Sequence, residues 1–231
     1  LFFGRIDYQD REGRQAHQEC EGVWSASASQ DTPVFWGLTG SYGGNYGSPG
    51  DNYFFEAGFN NNVNPVMDDE NLHGYNVETR AAGFVDAAVS QAGQTKGNHI
   101  MFTMGSDFQF ISSAEWYVNL DKLIHYCNEL YGDQVNMFYS TPTAYADAKN
   151  AEGTAWAVKD DDFFPYSDSD HAFWTGYFTS RPLLKRFERA TSGHLQALRQ
   201  LEALSGQGPL AGGAQSTLAT LEAAQAVAQH H

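Results

Sequence analysis

Asp107 is the residue whose surroundings point most directly to chemistry. It follows the apolar segment NHIMFTM at 98–104 and Gly105, and Phe108 and Phe110 flank it. A carboxylate at the C-terminal end of a buried strand, close to apolar rings, can be pushed toward its protonated form and then serve as a general acid. The same residue can instead cap the turn that follows. Position alone leaves both roles open.

Other side chains form weaker constellations. Arg5 ends a short apolar run, where a guanidinium can grip and orient a carboxylate through two parallel hydrogen bonds or simply make a surface ion pair. Asp160, Asp161 and Asp162 precede Phe163-Phe164-Pro165-Tyr166. Adjacent like charges repel and cannot all be buried unpaired, so a solvated turn is expected, most of all at Asp160. An Asp beside two Phe can also hold sugar hydroxyls. His230 and His231 close the sequence, and neighbours on a helix point about 100° apart, so one of them at most faces a given metal. The pair also reads as a tag remnant, against which stands the helical LEAAQAVAQ before it. The other histidines, at 17, 73, 99, 125, 171 and 194, show no paired ligand spacing and read as structural. Tyr46, Trp116, Trp174 and Tyr177 offer faces for a sugar, with Trp116 also on a helical apolar stripe. There is no phosphate-binding Gly loop, nucleophile elbow or Cys-based zinc knuckle.

The elements that must position these groups follow from periodicity. Residues 1–8 read as a short buried strand, and 10–28 show helix spacing at Ala16, Cys20, Val23 and Trp24. From 30 to 75 the pattern dissolves into Gly, Asn, Pro and aromatics, and a loop that long is usually functional or disordered. Val77, Ala81, Phe84, Val85, Ala88 and Ala92 then mark a helical face behind an Asn76 N-cap. Segments 98–104 and 134–140 read as buried strands. Between them, Ser112 and Glu115 fit a capping box ahead of Trp116, Leu120, Leu123, Ile124 and Cys127. Thr141-Pro142 opens a short helix with Pro at its first position. Strand–helix alternation implies a parallel sheet covered by helices, with ligands beyond the carboxyl ends of the strands. After a second aromatic-rich stretch at 154–180, Pro182 starts a long amphipathic helix with Leu184, Phe187, Leu195, Leu198, Leu201 and Leu204 on or near one face. A break at 206–213 precedes a last helix. A domain boundary is therefore expected near 180: α/β over 1–180, helical over 181–231.

Composition narrows the function. The 231 residues carry a formal charge of −15 with no basic stripe, which disfavours a phosphate backbone as partner. Aromatics make up 14%, a surplus that suits a large core and also a neutral ligand with apolar faces. Cys20 and Cys127 make no ligand or redox motif and do not reveal a compartment. No apolar run approaches the roughly 18 residues needed to span a bilayer. The opening Leu-Phe-Phe-Gly-Arg has neither Met nor a basic leader, and reads as the interior of a longer chain.

Several segments resemble family 38 of the glycoside hydrolases, the class II α-mannosidases, and its lysosomal or vacuolar branch in particular. They are FFGRIDYQD at 2–10, FTMGSDFQF at 102–110, NLDKLI at 119–124, FYSTP at 138–142, DDFFPYSD at 161–168, FWTGYFTSRPLLKRFER at 173–189, QLEAL at 200–204 and AVAQHH at 226–231. The resemblance implies part of a (β/α) barrel-like domain followed by the first helices of a three-helix bundle. It also implies a zinc-dependent, retaining enzyme that removes terminal mannose from glycans in a lysosomal, vacuolar or secreted setting. By the resemblance Asp107 is the acid/base, Arg5 lies near the nucleophile, Tyr46 and Asp162 bind substrate, and His231 is a zinc ligand. Retention requires two carboxylates about 5–5.5 Å apart, and zinc can grip sugar hydroxyls as a Lewis acid.

The departures are equally specific. The family's His-x-Asp motif and nucleophilic Asp have no counterpart here, and Asp160 stands where lysosomal-type members have His. A catalytic zinc takes about three protein ligands, and His231 is one. These residues alone are therefore expected to be inactive, the remaining groups coming from the rest of the same polypeptide or its processed chains. A non-catalytic structural or glycan-binding protein derived from a mannosidase is the alternative.

Overall fold

The computed structural model describes residues 1–29, 31–40, 47–49, 53–57, 63–205 and 217–229. The chain forms two compact units, Leu1–Ala172 and Phe173–His231.

The first unit is mixed α/β. Its sheet contains β1 (Phe2–Phe3), β2 (Glu21–Trp24), β3 (Val34–Leu38) and β4 (Val158–Lys159) in the order β1-β3-β2-β4. β2 and β3 are antiparallel, with Val23 opposite Phe35. β1 runs parallel to β3, and β4 parallel to β2. Among the described residues this is a small mixed sheet, where the alternation of elements predicts a purely parallel one.

Helix α1 (Tyr8–Ala16) starts at Asp7, whose Oδ1 accepts from the backbone N–H of Gln9 at 2.9 Å and Asp10 at 3.3 Å. It stops earlier than the helix spacing over 10–28 predicts. Gln18 takes a left-handed φ of +57°, which turns the chain out of the helix and into β2. Val23 and Trp24 thereby become sheet residues, and Trp24 packs edge-on against Phe163 with centroids 5.4 Å apart. β3 lies inside the stretch that looks patternless. Its Trp36 is fully buried, stacked on Phe3 at 5.9 Å.

The main core lies between α2 (Val77–Ala92) and α3 (Ser113–Tyr131). Val77, Ala81, Phe84 and Val85 of α2 meet Trp116, Leu120, Leu123 and Cys127 of α3, with Tyr53, Phe54 and Phe55 packed among them. Burying a large apolar side chain contributes about 1.5–3 kcal/mol, so this face holds the two helices together. Trp116 is 0% exposed and is core. Asn76 sits at the α2 N-cap position, but its side chain bridges the incoming strand-like segment instead: Oδ1 accepts from Met67 N at 2.9 Å and Nδ2 donates to Pro65 O at 3.1 Å.

Segments 98–104 and 134–140, read as strands, pair in no ladder among the described residues. Side chains satisfy their backbones instead. Gln91 Nε2 donates to Met101 O at 2.9 Å, and Lys149 Nζ donates to His99 O at 2.9 Å. The Asn128 carboxamide donates to Met137 O and accepts from Met137 N, both at 2.7 Å. An apolar run signals burial, but a strand needs a hydrogen-bonded neighbour. Helix α4 (Pro142–Ala151) follows the expected signal, with Thr141 Oγ1 accepting from Ala144 N at 3.2 Å and Pro142 in the first turn.

The second unit contains α5 (Gly176–Thr179), α6 (Pro182–Ser205) and α7 (Thr217–Gln229). α6 and α7 pair through Arg199, whose Nε and Nη2 lie 2.9 and 2.8 Å from Glu222 Oε1, and through Gln225 Nε2, which donates to Glu188 Oε1 at 3.2 Å. On the predicted apolar face of α6 only Leu195 is buried, and Phe187, Leu201 and Leu204 are exposed. Among the described residues α7 packs against α6. Among the described residues no helix is long and apolar enough to cross a membrane.

Candidate active site

Asp107 sits at the exposed tip of a braced turn, not at the end of a paired strand as its sequence context predicts. The turn begins at Gly105, whose φ is +135° and where a Cβ would stand 2.9 Å from Phe110 Cε2. Only glycine fits both the dihedral and the ring. Phe108 and Phe110 follow with φ of +60° and +67°. Bulky residues in this region cost on the order of 1–3 kcal/mol each and persist only where surrounding contacts over-determine them.

Those contacts are visible. Phe110 stacks on Trp116 at 4.6 Å and 19°, so the ring that covers Gly105 is itself anchored on the α2–α3 core. Gly105 N donates to Ser48 Oγ at 3.0 Å, and Ser48 N donates to Gly105 O at 3.1 Å. At the far end, Ser112 N donates to Glu56 Oε1 at 2.7 Å, and Glu56 is buried. This replaces the expected capping box. Ser112 Oγ donates to Glu115 Oε1 at 3.1 Å, and the N–H that Glu115 would accept from belongs to Glu56. The outcome is a carboxylate in solvent on a backbone held from both sides, an arrangement suited to meeting a bound substrate.

A second group gathers around the sheet. The Tyr8 N–H donates to Ser167 O at 2.9 Å, and Phe3 meets Phe163 edge-on at 4.8 Å, so segments 2–10 and 161–168 lie together. Arg5 is exposed, with its guanidinium carbon 5.8 Å from the Tyr166 ring centroid. Burial pushes the Tyr166 phenol up, while the Arg5 charge pulls it down. Asp162 is exposed, and its Oδ1 accepts from Phe164 N at 3.1 Å, closing a local turn. Asp161 pairs with Lys159, which holds its carboxyl below the usual range, and its carbonyl accepts from Trp24 Nε1 at 2.8 Å. Asp160 is exposed, as a solvated turn requires.

Tyr46 and His231, with His230, lie outside the described residues. Among the described residues no group of three or more His, Cys, Asp or Glu could hold a metal ion. They do not by themselves form a zinc centre. Trp174 and Tyr177 belong to the second unit, where they are 41% and 47% exposed. Sequence reasoning missed Ser48 and Glu56. Ser48 is hidden in a Gly-rich stretch, whereas Glu56 carried a readable signal: a charge directly after Tyr53-Phe54-Phe55, where burial demands a partner.

Fold and site together define a mixed α/β domain that presents one carboxylate on a rigid turn, with an arginine and an acid on neighbouring sheet loops. The chain belongs to family 38 of the glycosyl hydrolases, since residues 1–169 match the family's N-terminal domain. It is 46% identical over 233 residues to a probable alpha-mannosidase of Arabidopsis thaliana, aligning over 100% of this chain and 22% of that protein. It is 43% identical over 241 residues to the lysosomal alpha-mannosidase of Cavia porcellus and 41% over 237 to that of Homo sapiens, covering 100% of this chain and 23% of each. The chain thus spans under a quarter of the length of these relatives.

Proposed function

We propose that this chain is part of a zinc-dependent, retaining alpha-mannosidase that releases terminal α-mannosyl residues from glycans, and that Asp107 is its acid/base. The Asp107 turn carries the reading: in a chain of this family, an exposed acid stands on strained backbone with both ends of the turn tied down. Asp107 would protonate the departing glycosidic oxygen and then deprotonate the water that resolves the glycosyl-enzyme. Its carboxylate partner, the nucleophile, comes from elsewhere in the polypeptide, and Arg5 orients it. Tyr46 and Asp162 contact substrate. His231 contributes one zinc ligand, with the others supplied outside this chain. Relatives named lysosomal support a lysosomal or vacuolar location.

The test uses the full-length protein and an aryl α-mannoside. Asp107→Asn should lower turnover by about 10²–10⁴-fold, the range for a general acid, and flatten the limb of the pH profile that the acid sets. Wild-type turnover with an unchanged profile would remove Asp107 from the mechanism. His231→Ala should reduce bound zinc measured by atomic emission, and unchanged metal content would remove that ligand.

A further inference from the structure

Ser48 and Glu56 each meet one end of the Asp107 turn. Ser48 meets Gly105, two residues before Asp107, by hydrogen bonds in both directions at 3.0 and 3.1 Å. Glu56 meets Ser112, five residues after it, at 2.7 Å. Phe110 closes the middle by lying against Gly105 and stacking on Trp116.

We propose that Ser48 and Glu56 are positioning residues for Asp107. They hold the two ends of its turn at a fixed separation, so that the carboxyl reaches the leaving-group oxygen. The inference rests on Asp107 being the acid/base. The physical reason is the strained backbone. Phe108 and Phe110 in left-handed conformations favour relaxation to ordinary dihedrals, and relaxation would swing Asp107. Two features make the hydrogen bonds suited to oppose this. Ser48 accepts from the Gly105 N–H and donates to the Gly105 carbonyl, so it holds the two peptide groups on either side of Gly105 in orientation as well as distance. Glu56 is buried at 7% exposure, where an acceptor oxygen binds an N–H more strongly than in water. Neither residue needs to touch the sugar.

The experiment compares kcat/KM of the full-length protein on two substrates that differ in their need for an acid. An α-linked mannobiose has a poor leaving group and needs a proton, while 2,4-dinitrophenyl α-mannoside does not. Ser48→Ala and Glu56→Ala should each lower kcat/KM on the mannobiose by about 10–100-fold, as misplacing a catalytic group does, and on the activated substrate by less than about threefold. Ser48→Thr and Glu56→Gln keep the acceptor oxygens and should restore the mannobiose rate. If an alanine variant fails to fold, Ser48→Cys, close in size with a weak acceptor, is read in its place and must show the same selective loss. Equal losses on both substrates, no loss on either, or no restoration by Ser48→Thr and Glu56→Gln would each overturn the proposal. Asp107→Asn separates the two readings. If Asp107→Asn shows the selective loss and the Ser48 and Glu56 variants do not, the positioning role falls alone. If Asp107→Asn shows none, the acid/base assignment falls and this inference with it.

Discussion

Replacing Lys149 with Met tests whether a buried charge network ties α4 to the sheet. Lys149 is 0% exposed. Its Nζ donates to the carbonyls of Lys96 and His99, lies 3.0 Å from Glu21 Oε2 and 3.8 Å from Glu152 Oε2, and stands 5.3 Å from the Trp156 ring centroid. Tyr145 donates to Glu21 Oε1 from the other side. Met fills the space of the Lys stem but leaves Glu21 buried with Tyr145 as its remaining partner. Removing one member of a buried pair costs about 3–5 kcal/mol, whereas removing both together costs far less. Lys149→Met should therefore destabilise α4 by about 3–5 kcal/mol and Glu21→Gln by about 1–2 kcal/mol, with the double variant well below their sum. Amide hydrogen exchange of the α4 peptides in the intact protein reads this locally, and 3 kcal/mol corresponds to about 100-fold faster exchange.

Titration adds a second reading. Burial raises the Glu21 carboxyl above its ordinary 4.5, against the pull of Tyr145 and Lys149. The stability this contributes is fully present below the unfolded value and is lost as pH rises through the folded one. Without the Lys149 charge the carboxyl rises further, so α4 of Lys149→Met should open more steeply with rising pH than wild type, after correction for intrinsic exchange. Exchange in Lys149→Met within threefold of wild type, taking about 0.7 kcal/mol as the resolvable limit, or strict additivity in the cycle, would refute the network as a tie.

Gly105→Ala should destabilise the turn by about 1–3 kcal/mol from its dihedral alone. It should also lower kcat/KM on a mannobiose, because Phe110 must leave its place for the new Cβ; thermal unfolding and kinetics check both. Asn128→Ala strands the part-buried Met137 N–H and C=O, so exchange at Val135–Met137 should speed up by an amount worth about 2 kcal/mol, two groups at the lower end of the roughly 1–3 kcal/mol that a fully buried one costs. Burial pushes the Cys20 and Cys127 thiols up to about 11. Iodoacetamide should therefore leave both unlabelled in the native protein and label both in urea, read by peptide mass spectrometry.

Local chemistry was legible in the residues themselves. The Thr141-Pro142 start, the apolar face of α2 and the core stripe of α3 follow from spacing, because neighbouring turns of one helix decide them. The GSDF segment singled out Asp107, and the order of the motifs singled out the family. Pairing was not legible. The short β3 strand hides in an aromatic-rich stretch, and 98–104 and 134–140 look like strands, yet side chains from α2, α3 and α4 take their hydrogen bonds. The Asp107 turn shows the same division. Sequence alone determined that an acid follows a glycine between aromatic residues. Only tertiary structure decided that Phe110 folds back on Gly105, and that Ser48 and Glu56 hold the two ends. Those contacts join residues 56 and 57 positions apart, and hydrogen bonds at such separations follow from how the core packs, which no local pattern encodes.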